Sequence, residues 1–512
     1  MAKKKTSKDK KLTEAQIAVH WKEEDIVHPS PEFIAQANMT DPGIYDRFSL
    51  DNFPECFKEY ADLLDWYEYW HTTLDTSDAP CWKWFVGGKI NASYNCVDRH
   101  LPKYKNKAAI HFVPEPEEEP PQAISYQELY VRVNEFAALL RDFAGLKKGD
   151  RVTLHMPMTP ELPVTMLACA RLGVIHSEVF GGFSGMAAAD RIVDSGSNVL
   201  ITMDGYYRGG NMIDHKVNAD IAFEHAKKQG QKVDKVLIWQ RYPGQYQSES
   251  KPVKGRDYIV NDVLKDFVGQ RIDPVKMPAE DPLFLMYTSG TTGKPKGCQH
   301  STGGYLAYVA GTSKYIQDIH PEDVYWCFAD IGWITGHSYI VYGPLLNGNT
   351  TVLYEGKPVG TPDPGAFWQV IENHAVNVLF TAPTAIRAIK KEDKNGDFLA
   401  ARQLEGFRTL FLAGERTDPA TLRWAQSHLN VPVIDHWWQT ETSWAISANC
   451  TGINMEKTKY GSACKAVPGY DVKVIKNDQT LAKPNEMGDV VVKLPLPPGT
   501  FPTLWNADDR YK

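Results

Sequence analysis

The sequence predicts an α/β protein with two doubly wound, mostly parallel β-sheets, flanking helices and a small antiparallel β-sheet or barrel. Its 512 residues correspond to about three or four domains or subdomains at roughly 150 residues each. Short apolar or β-branched segments alternate with segments of helix length, which is the βαβ rhythm of a parallel sheet. After Thr458 this rhythm gives way to strands separated by Gly and Pro, without helices between them.

The N-terminal part is predicted to lie around this core. Residues 1–11 are rich in Lys and poor in apolar side chains, so we expect a disordered basic tail. Residues 12–121 are dense in aromatic and acidic side chains with little strand periodicity, and they are predicted to form an N-terminal extension and the start of the core. The Pro-rich stretch at 114–121 cannot be helical, which predicts an exposed turn between extension and core.

Ten predicted strands build the two sheets. Because a single sheet of that size is unusual, we divide the strands between a first α/β subdomain at 122–300 and a second at 301–457. Residues 458–512 are predicted to form a β-rich subdomain with strands at 471–475 and 488–494. The ten strands are at 151–156, 174–180, 199–203, 233–239, 283–287, 324–328, 350–354, 376–380, 409–413 and 431–434.

Composition and charge exclude several classes of function. Lys and Arg total 56 against 63 Asp and Glu, a net charge of −7, so there is no basic field to hold nucleic acid. No apolar run approaches the roughly 20 residues of a membrane span, and the start lacks a secretory signal, so we expect a cytoplasmic protein. The eight cysteines are scattered, which predicts reduced thiols rather than disulfides or a zinc site. Small-molecule substrates are the expected partners, and no oligomeric state is predicted.

The segment YTSGTTGKPKG at 287–297 has the composition of a polyphosphate-binding loop. Glycines let backbone N–H groups approach an anion, hydroxyl groups add donors and lysines supply positive charge; a flexible surface turn is the alternative. It is not a Walker loop, because Pro295 follows Lys294 and only two residues separate Gly290 from Gly293. The predicted phosphate-binding residues are Thr288, Ser289, Gly290, Thr291, Thr292, Gly293, Lys294 and Lys296.

This loop resembles the phosphate-binding signature of the adenylate-forming superfamily. Three further segments, DIGWITGHSYIVYGPL at 330–345, FLAGER at 411–416 and DHWWQTET at 435–442, resemble AMP-forming short-chain acyl-CoA synthetases, above all acetyl-CoA synthetases and propionate-CoA ligases. The resemblance implies an acid–thiol ligase that activates acetate with Mg-ATP to acetyl-AMP and pyrophosphate and then transfers the acetyl group to coenzyme A. It therefore implies ATP, Mg²⁺ and coenzyme A. Propionate-CoA ligase, or a catalytically silent acyl-adenylate or nucleotide-binding module, is the alternative.

The resemblance also implies where the nucleotide binds. Trp437 matches the aromatic residue that stacks on adenine, Thr440 the hydroxyl at the α-phosphate, and Glu441 the carboxylate that holds Mg²⁺. Two adjacent Trp could instead be core residues. Lys296, Thr440 and Glu441 are the predicted catalytic residues. The predicted ATP and AMP site combines Thr288 to Lys294 with Gly414, Glu415, Arg416, Asp435, His436, Trp437, Trp438, Gln439 and Thr440.

By the same resemblance, the acyl pocket is formed by Ile334, Thr335, Ala413 and Trp438. The indole of Trp438 predicts an acetate-sized pocket, whereas Ala413 stands where acetyl-CoA synthetases usually have a bulkier Val and favours propionate. One methylene is worth about 0.8 kcal/mol when buried, so we expect acetate first, propionate second and longer acids poorly used.

Coenzyme A is expected to contact Arg208, Gly209, Gly210, Asn211 and Thr335. Asn211 departs from the resemblance, because the family usually has an Arg there. The resemblance places the expected ligand pocket beside His337 and Tyr339 as well, although an isolated His is more often structural.

The resemblance further implies a mobile C-terminal domain, which in these enzymes follows the region where this sequence stops at Lys512. Because that domain carries the adenylation lysine, we expect this 512-residue form to bind ligands while its ligase activity is largely impaired. A truncated form and a natural binding module are the two interpretations.

Overall fold

The computed structural model describes residues 26–245, 250–288, 295–360 and 362–512, and its core consists of two large β-sheets. The first sheet has eight strands. Its first six are parallel, and the last two run antiparallel to their neighbours. In spatial order the strands are Asp257–Ile259, Lys235–Trp239, Val199–Met203, Arg151–Met156, Ile175–Phe180, Pro282–Thr288, Lys296–Ser301 and Thr503–Leu504.

The second sheet has seven strands, of which six are parallel and one edge strand is antiparallel. In spatial order they are Val433–Asp435, Thr409–Leu412, Val376–Thr381, Val324–Phe328, Thr350–Tyr354, Ala108–Val113 and Gln122–Ser125. The predicted α/β class with two mostly parallel sheets is confirmed. The ten predicted strands all occur, with ends that differ by at most a few residues, because runs of buried β-branched side chains mark parallel strands well.

The predicted subdomain boundaries cross these sheets. The boundary after residue 121 separates Ala108–Val113 from Gln122–Ser125, which are neighbours in one sheet, and the boundary after residue 300 lies inside Lys296–Ser301. The stretch at 114–121 does turn between two strands, but it is not fully exposed, because Glu115 is buried. The basic tail at 1–11 lies outside the described residues.

The remaining strands among the described residues form short antiparallel pairs rather than a barrel. The segment after Thr458 also contributes a strand to the eight-stranded sheet, because Thr503–Leu504 pairs with Lys296–Ser301. The pairs are Ile26–Val27 with Thr458–Lys459, Thr72–Asp75 with Lys83–Val86, Lys89–Ile90 with Met277–Pro278, Gly205–Arg208 with Asn211–Asp214, Ser447–Ala448 with Lys465–Ala466, and Val472–Ile475 with Asp489–Val492.

The longer helices have clear end signals in the sequence. Ser125 caps its helix by accepting a hydrogen bond from the Glu128 N–H at 3.1 Å, and Asp418 accepts from the Thr421 N–H at 2.9 Å. Gly173 ends a helix with a φ of 70°, which favours glycine. The helices of eight or more residues are Tyr126–Ala138, Glu161–Leu172, Gly185–Ser195, Lys216–Lys228, Thr302–Gly311, Ala366–Asn373, Pro383–Glu392 and Pro419–Leu429.

Shorter helical segments complete the described chain. None of its helices is long and apolar enough to cross a membrane. The short α-helices are Pro31–Ala35, Ile44–Arg47, Lys58–Ala61, Ala92–Cys96, Leu101–Tyr104, Val260–Val263, Ile334–Gly336, Gly343–Leu346, Asp397–Ala400, Thr451–Asn454 and Asp508–Tyr511. The 3₁₀-helices are Leu50–Asn52, Glu55–Phe57, Asp98–His100 and Leu264–Phe267, and the π-helices are Leu139–Phe143, Thr312–Ile316 and His337–Tyr342.

A layer of buried chain joins the two sheets. Every residue of the helix Thr302–Gly311 is buried. A Cβ atom on Gly304 would lie 2.1 Å from the Pro498 carbonyl oxygen, so only glycine permits this contact. The Tyr305 hydroxyl lies 2.9 Å from the Ser338 hydroxyl, which belongs to the segment after strand Val324–Phe328 of the second sheet. The layer therefore fixes the position of that segment.

Three histidines without solvent exposure lie beside this layer, two on strands of the first sheet and one in the helical segment His337–Tyr342. His176 and His337 have stacked rings 5.6 Å apart, and His300 stacks on Phe284 at 4.6 Å. Burial lowers the pKa of His300 to about 3 and that of His337 to about 4, and it lowers the pKa of His176 well below its usual range. All three rings are therefore neutral in the folded protein.

We predict that His300→Gln reduces the sensitivity of the protein to acid. A buried neutral histidine binds fewer protons than the same histidine in the unfolded chain, so stability is present above pH 6.5 and is lost as the pH falls below it. Urea unfolding at pH 6.5 and 5.0 measures how much the free energy of unfolding falls between the two pH values. This fall should be smaller by about 2 kcal/mol in the variant than in the wild type. His71→Gln, at an exposed position, is the control, and an unchanged loss in His300→Gln would contradict the prediction.

Candidate functional site

The candidate site lies at the carboxyl edge of the seven-stranded sheet. Loops that follow parallel strands meet at this edge, which is where doubly wound folds bind ligands. The segment from Asp330 follows strand Val324–Phe328, Ala413 to Arg416 follow Thr409–Leu412, and His436 to Glu441 follow Val433–Asp435. Three of the segments that the sequence singled out are thus brought together at one edge of the same sheet.

A cavity of about 360 Å³ opens at this edge. This volume is within the range of small-molecule sites. Its described lining is apolar or hydroxyl-bearing with one charged exception, Asp330, so it suits a short apolar chain better than a carboxylate. The lining includes Phe328, Asp330, Trp333, Thr335, Phe380 and Ala413.

Two of the four predicted acyl-pocket residues line this cavity. Thr335 and Ala413 face it, whereas Ile334 and Trp438 are not part of its lining. The indole of Trp438 lies behind the lining, with its ring centroid 6.4 Å from that of Phe380 and 5.3 Å from that of Tyr339. Trp438 thus supports the cavity wall through Phe380 in this structure, and its role as the floor of the pocket stays a prediction.

The turn that carries Asp330 is packed tightly on its far side. A Cβ atom on Gly332 would lie 2.7 Å from the backbone nitrogen of Phe180, and one on Gly336 would lie 2.1 Å from the Asp330 carbonyl oxygen. The Gly332 N–H donates to the Asp330 carboxylate at 2.8 Å. Burial raises the pKa of Asp330 to about 6. This wall of the cavity is therefore held by close backbone contacts and carries a carboxyl group that titrates near neutral pH.

The segment DHWWQTET presents one aromatic face to solvent. The Trp437 side chain is 37% exposed, and its backbone is held by a hydrogen bond from its N–H to the Ser447 carbonyl oxygen at 2.9 Å. His436 is buried instead, with Nδ1 2.8 Å from the Leu412 carbonyl oxygen, and burial lowers its pKa to about 4. An exposed, fixed indole can stack on a planar base. The geometry thus favours a stacking role for Trp437 over a role in the core. His436, in contrast, is buried beneath the segment and supports it.

The neighbouring turn at 414–416 is tied to the sheet and to a helix. Gly414 has a φ of 101° and open space where a Cβ would be. Glu415 pairs with Arg387 of helix Pro383–Glu392. The Asp435 carboxylate accepts a hydrogen bond from the Thr417 N–H at 3.4 Å, and burial raises its pKa to about 6. The turn thus places its backbone beside the end of strand Val433–Asp435, where Trp437 follows.

The predicted phosphate loop is described only at its ends. Ser289 to Lys294 lie outside the described residues, while Thr288 ends one strand and Lys296 begins the next, and the two are paired across the sheet. Glu441 lies near Lys296, because both affect the pKa of the buried Cys298 thiol. Burial raises this pKa to about 12, with the Glu441 carboxylate also raising it and the Lys296 ammonium group lowering it. The Phe501 N–H also donates to the Glu441 carbonyl oxygen at 3.0 Å.

The residues near this loop suit a Mg²⁺ ion that takes most of its protein-side binding from one carboxylate and its other oxygen ligands from a phosphate group. No cluster of three or more acidic, His or Cys ligands occurs within the described ranges. Glu441 is half-buried, and its carboxylate makes no hydrogen bond or ion pair to a described residue. Mg²⁺ typically takes one or two carboxylates together with substrate phosphates. Glu441 is therefore suited to hold Mg²⁺ when a nucleotide supplies the other oxygen ligands.

A second, smaller cavity of about 30 Å³ adjoins the first. Asp330 lines both, so the two cavities meet at this residue. Arg208, Gly181 and Gly182 also line the smaller cavity, which brings the segments FGGFS and YRGGN together. The predicted contact residues Gly209 and Gly210 form the turn after Arg208, and Asn211 follows them.

Several residues of the site were not predicted from the sequence. Phe380 and Thr381 end an apolar strand and precede a Pro at the start of a helix, which is a recognisable strand-to-helix junction. Asp330 lies in a segment that the sequence singled out, but its burial and its place between two cavities depend on tertiary packing. Glu178 lies inside the strand Ile175–Phe180, where the sequence pattern predicts a strand and nothing more.

Glu178 is a buried carboxyl group without a hydrogen-bond partner in the described part of the chain. Burial, and then the nearby Asp330 carboxyl group, raise its pKa well above the usual range. It is therefore protonated in the folded protein under conditions in which it is ionised in the unfolded chain.

Comparison with known proteins gives matches over most of the chain. Residues 97–505 match the model of the AMP-binding enzyme family, and residues 45–96 match that of the acetyl-coenzyme A synthetase N-terminus. The mitochondrial acyl-CoA synthetase short-chain family member 3 of Homo sapiens is 42% identical over 93% of this chain and 67% of its own length. The acetyl-coenzyme A synthetase of Wolinella succinogenes is 41% identical over 95% of this chain and 73% of its own. That of Rubrobacter xylanophilus is 40% identical over 94% and 73%.

We predict that Glu178→Gln stabilises the protein at alkaline pH. An acid whose folded pKa is raised holds a proton that the unfolded chain releases, so its contribution to stability falls as the pH rises above about 4.5. Urea unfolding should show the variant more stable than the wild type by about 2 kcal/mol at pH 8, and nearly equal to it at pH 4.5. Glu224→Gln, on an exposed helix surface, is the control. A destabilised variant at pH 8 would show that the ionised carboxylate is bound by a partner.

Proposed function

The chain belongs to the AMP-binding enzyme family and to the short-chain acyl-CoA synthetases within it, and we propose that it is an AMP-forming acid–thiol ligase for acetate. In the proposed reaction acetate attacks the α-phosphorus of ATP, giving acetyl-AMP and pyrophosphate, and the thiol of coenzyme A then displaces AMP. The observation that carries the proposal is the apolar cavity beside the segment of Trp437, at one sheet edge.

The first step needs positioning and charge neutralisation rather than a base. A carboxylate is already a nucleophile at neutral pH. Trp437 offers an exposed indole for adenine, and Thr440 follows it by three residues on the same segment. Lys296 carries a positive charge at the end of the loop that we propose holds the pyrophosphate. When bound, Mg²⁺ would neutralise phosphate charge, with Glu441 as its proposed protein ligand.

The second step releases the proton of the thiol. Asp330 is the acid in the described lining of the acyl cavity, and it also lines the smaller cavity with Arg208. Because burial raises its pKa to about 6, it is largely ionised at neutral pH and still basic enough to accept a proton. We assign Asp330 this role, with Thr335 beside it on the path of the thiol.

Acetate is the proposed acid, and propionate is the second candidate. The cavity is closed on one side by Phe380, with the indole of Trp438 behind it, which favours a short chain. Ala413 favours propionate, because its small side chain lies in the lining itself. Coenzyme A and ATP follow from the proposed reaction. The cytoplasmic location stays a prediction, since the human relative is named as mitochondrial.

We predict that Lys296→Ala weakens ATP binding about tenfold and leaves AMP binding within about twofold. The reason is that Lys296 adjoins the loop that we propose holds the pyrophosphate, whereas we propose that adenine stacks on Trp437, so Trp437→Ala should weaken both nucleotides. Isothermal calorimetry with Mg²⁺ on the 512-residue chain measures both affinities.

The control is Lys483→Ala, which removes an exposed positive charge from the loop between Val472–Ile475 and Asp489–Val492. Equal losses of ATP and AMP affinity in Lys296→Ala would contradict the assignment of the loop. A wild-type chain that binds no adenine nucleotide at millimolar concentration would refute the proposed function itself.

We further predict that Trp438→Gly shifts acyl preference toward longer chains. Without the indole, Phe380 loses its support and the cavity deepens. Alkyl esters of AMP with two to five carbons mimic the acyl-adenylates and can be compared by calorimetry. The variant should bind the ethyl ester less tightly and gain about fourfold in affinity for each added methylene that it accommodates.

Ala413→Val is the matched variant with the opposite expectation, because it fills the cavity at its lining. It should weaken the propyl ester more than the ethyl ester. If Trp438→Gly stays folded and its chain-length profile is unchanged, Trp438 does not limit the pocket.

A further inference from the structure

A two-stranded hairpin carries a glycine turn beside the smaller cavity. Gly205–Arg208 pairs with Asn211–Asp214, and the turn between them is Gly209–Gly210. Both glycines have positive φ angles, 62° and 74°, a conformation that side chains rarely adopt. The turn therefore has no side chains, so neighbouring groups can approach its backbone closely.

Lys357 makes that close approach. A Cβ atom on Gly209 would lie 2.3 Å from the Lys357 ammonium nitrogen and 3.2 Å from its Cε. The ammonium group thus occupies the place that a side chain of the turn would take. Lys357 comes from the loop after strand Thr350–Tyr354, and its carbonyl oxygen accepts a hydrogen bond from the Tyr354 hydroxyl at 3.3 Å.

The buried acids around the turn have their own donors, and one of them, Glu355, also lines the smaller cavity. Glu115 is buried and accepts a hydrogen bond from the Gly209 N–H at 2.6 Å. Glu355 is buried and pairs with Arg241 at 2.6 Å, while it also accepts from the Glu115 N–H at 3.0 Å. No ion pair joins Lys357 to another described residue.

Arg208 stands on the outer side of the same turn. It is exposed, and within the described ranges it also makes no ion pair. Two cations thus lie at one turn. No described carboxylate forms an ion pair with either of them, although Asp330 lies near Arg208. Two such cations are the arrangement that a phosphate group recognises.

Asn211 is occupied by the turn itself. Its side-chain amide donates to the Gly209 carbonyl oxygen at 3.0 Å, so it fixes the turn rather than facing a ligand. The predicted contact between Asn211 and coenzyme A stays a prediction, and the side chain of Asn211 carries no charge for a phosphate. A positive charge at this end of the turn comes from Lys357, which is distant in sequence and was not singled out by it.

Arg208 is connected to the acyl cavity by a continuous surface, and Lys357 lies at the turn that follows Arg208. Arg208 and Asp330 line the smaller cavity, and Asp330 also lines the larger one. Trp333 is 46% exposed at the larger cavity, and its ring lies 5.7 Å from that of Phe180 at the smaller one. A long ligand with a phosphate at one end and a reactive group at the other can follow this surface, which carries aromatic side chains as well as Arg208, Asp330 and Glu355.

We propose that Lys357, together with Arg208, binds a phosphate group of coenzyme A and so acts as a specificity-determining residue for the thiol substrate. This inference rests on the proposed function, because coenzyme A is the thiol that the ligase reaction requires. In this proposal Lys357 supplies the second positive charge of the site, which the uncharged Asn211 does not supply.

Calorimetry of the 512-residue chain with coenzyme A and with dephospho-coenzyme A tests the proposal. Lys357→Ala should weaken coenzyme A binding about tenfold, Lys357→Arg should stay within about threefold of the wild type, and ATP affinity should be unchanged. Lys483→Ala is the control for loss of one surface charge. If the 3′-phosphate is the bound group, dephospho-coenzyme A should bind the wild type and Lys357→Ala equally. If the pyrophosphate is bound, both ligands should weaken alike.

Three results would overturn the inference, and they are distinguishable. Unchanged coenzyme A affinity in Lys357→Ala, with normal binding by the wild type, refutes the role of Lys357 and leaves the proposed function intact. A wild-type chain that binds neither ATP nor coenzyme A refutes the proposed function and this inference with it. Equal weakening of coenzyme A by Lys357→Ala and Lys357→Arg also counts against the proposal, because it shows that shape rather than charge is lost.

Discussion

The buried layer between the two sheets is the constraint on which the rest of the structure depends. The helix Thr302–Gly311 has no exposed face, so it packs against protein on every side. Its hydrogen bond through Tyr305 to Ser338 fixes the chain that follows strand Val324–Phe328. Because that chain also carries Asp330 and Thr335, the position of the cavity wall is set by core packing rather than by a surface loop.

This arrangement explains why two binding regions lie next to each other. The segment at 330–336 belongs by sequence to the second sheet, yet Gly332 packs against the backbone of Phe180 at the end of a strand of the first. The ends of both sheets therefore contribute to one surface, with Asp330 at the junction. A two-step ligase needs this proximity, because the acyl group formed beside the nucleotide has to meet a thiol that arrives from another direction.

The sequence predicts the fold better than it predicts the site. Alternating apolar strands and helices are local patterns, so ten of the fifteen strands of the two large sheets could be placed, and the motifs located the sheet edge through Ala413 and Trp437. What it could not predict depends on side chains that are distant in the chain. Lys357 meets Gly209, Trp438 lies behind Phe380, and Glu178 faces Asp330 only after the sheets have packed. Strand pairing also joins residues on both sides of the subdomain boundaries inferred from sequence, which local patterns do not reveal.

The two walls of the acyl cavity differ in how much change they can absorb. On the side of Gly332 and Gly336, backbone atoms lie where any added side chain would go, so mutations there disturb the junction of the two sheets. Another part of the lining consists of small side chains, with Ala413 after a strand end, Ala382 before a helix and Ala385 in the first turn of that helix. Selection for a different acid, in evolution or in the laboratory, should therefore act on the alanine wall, and substrate range can diversify there while the path of the thiol stays unchanged.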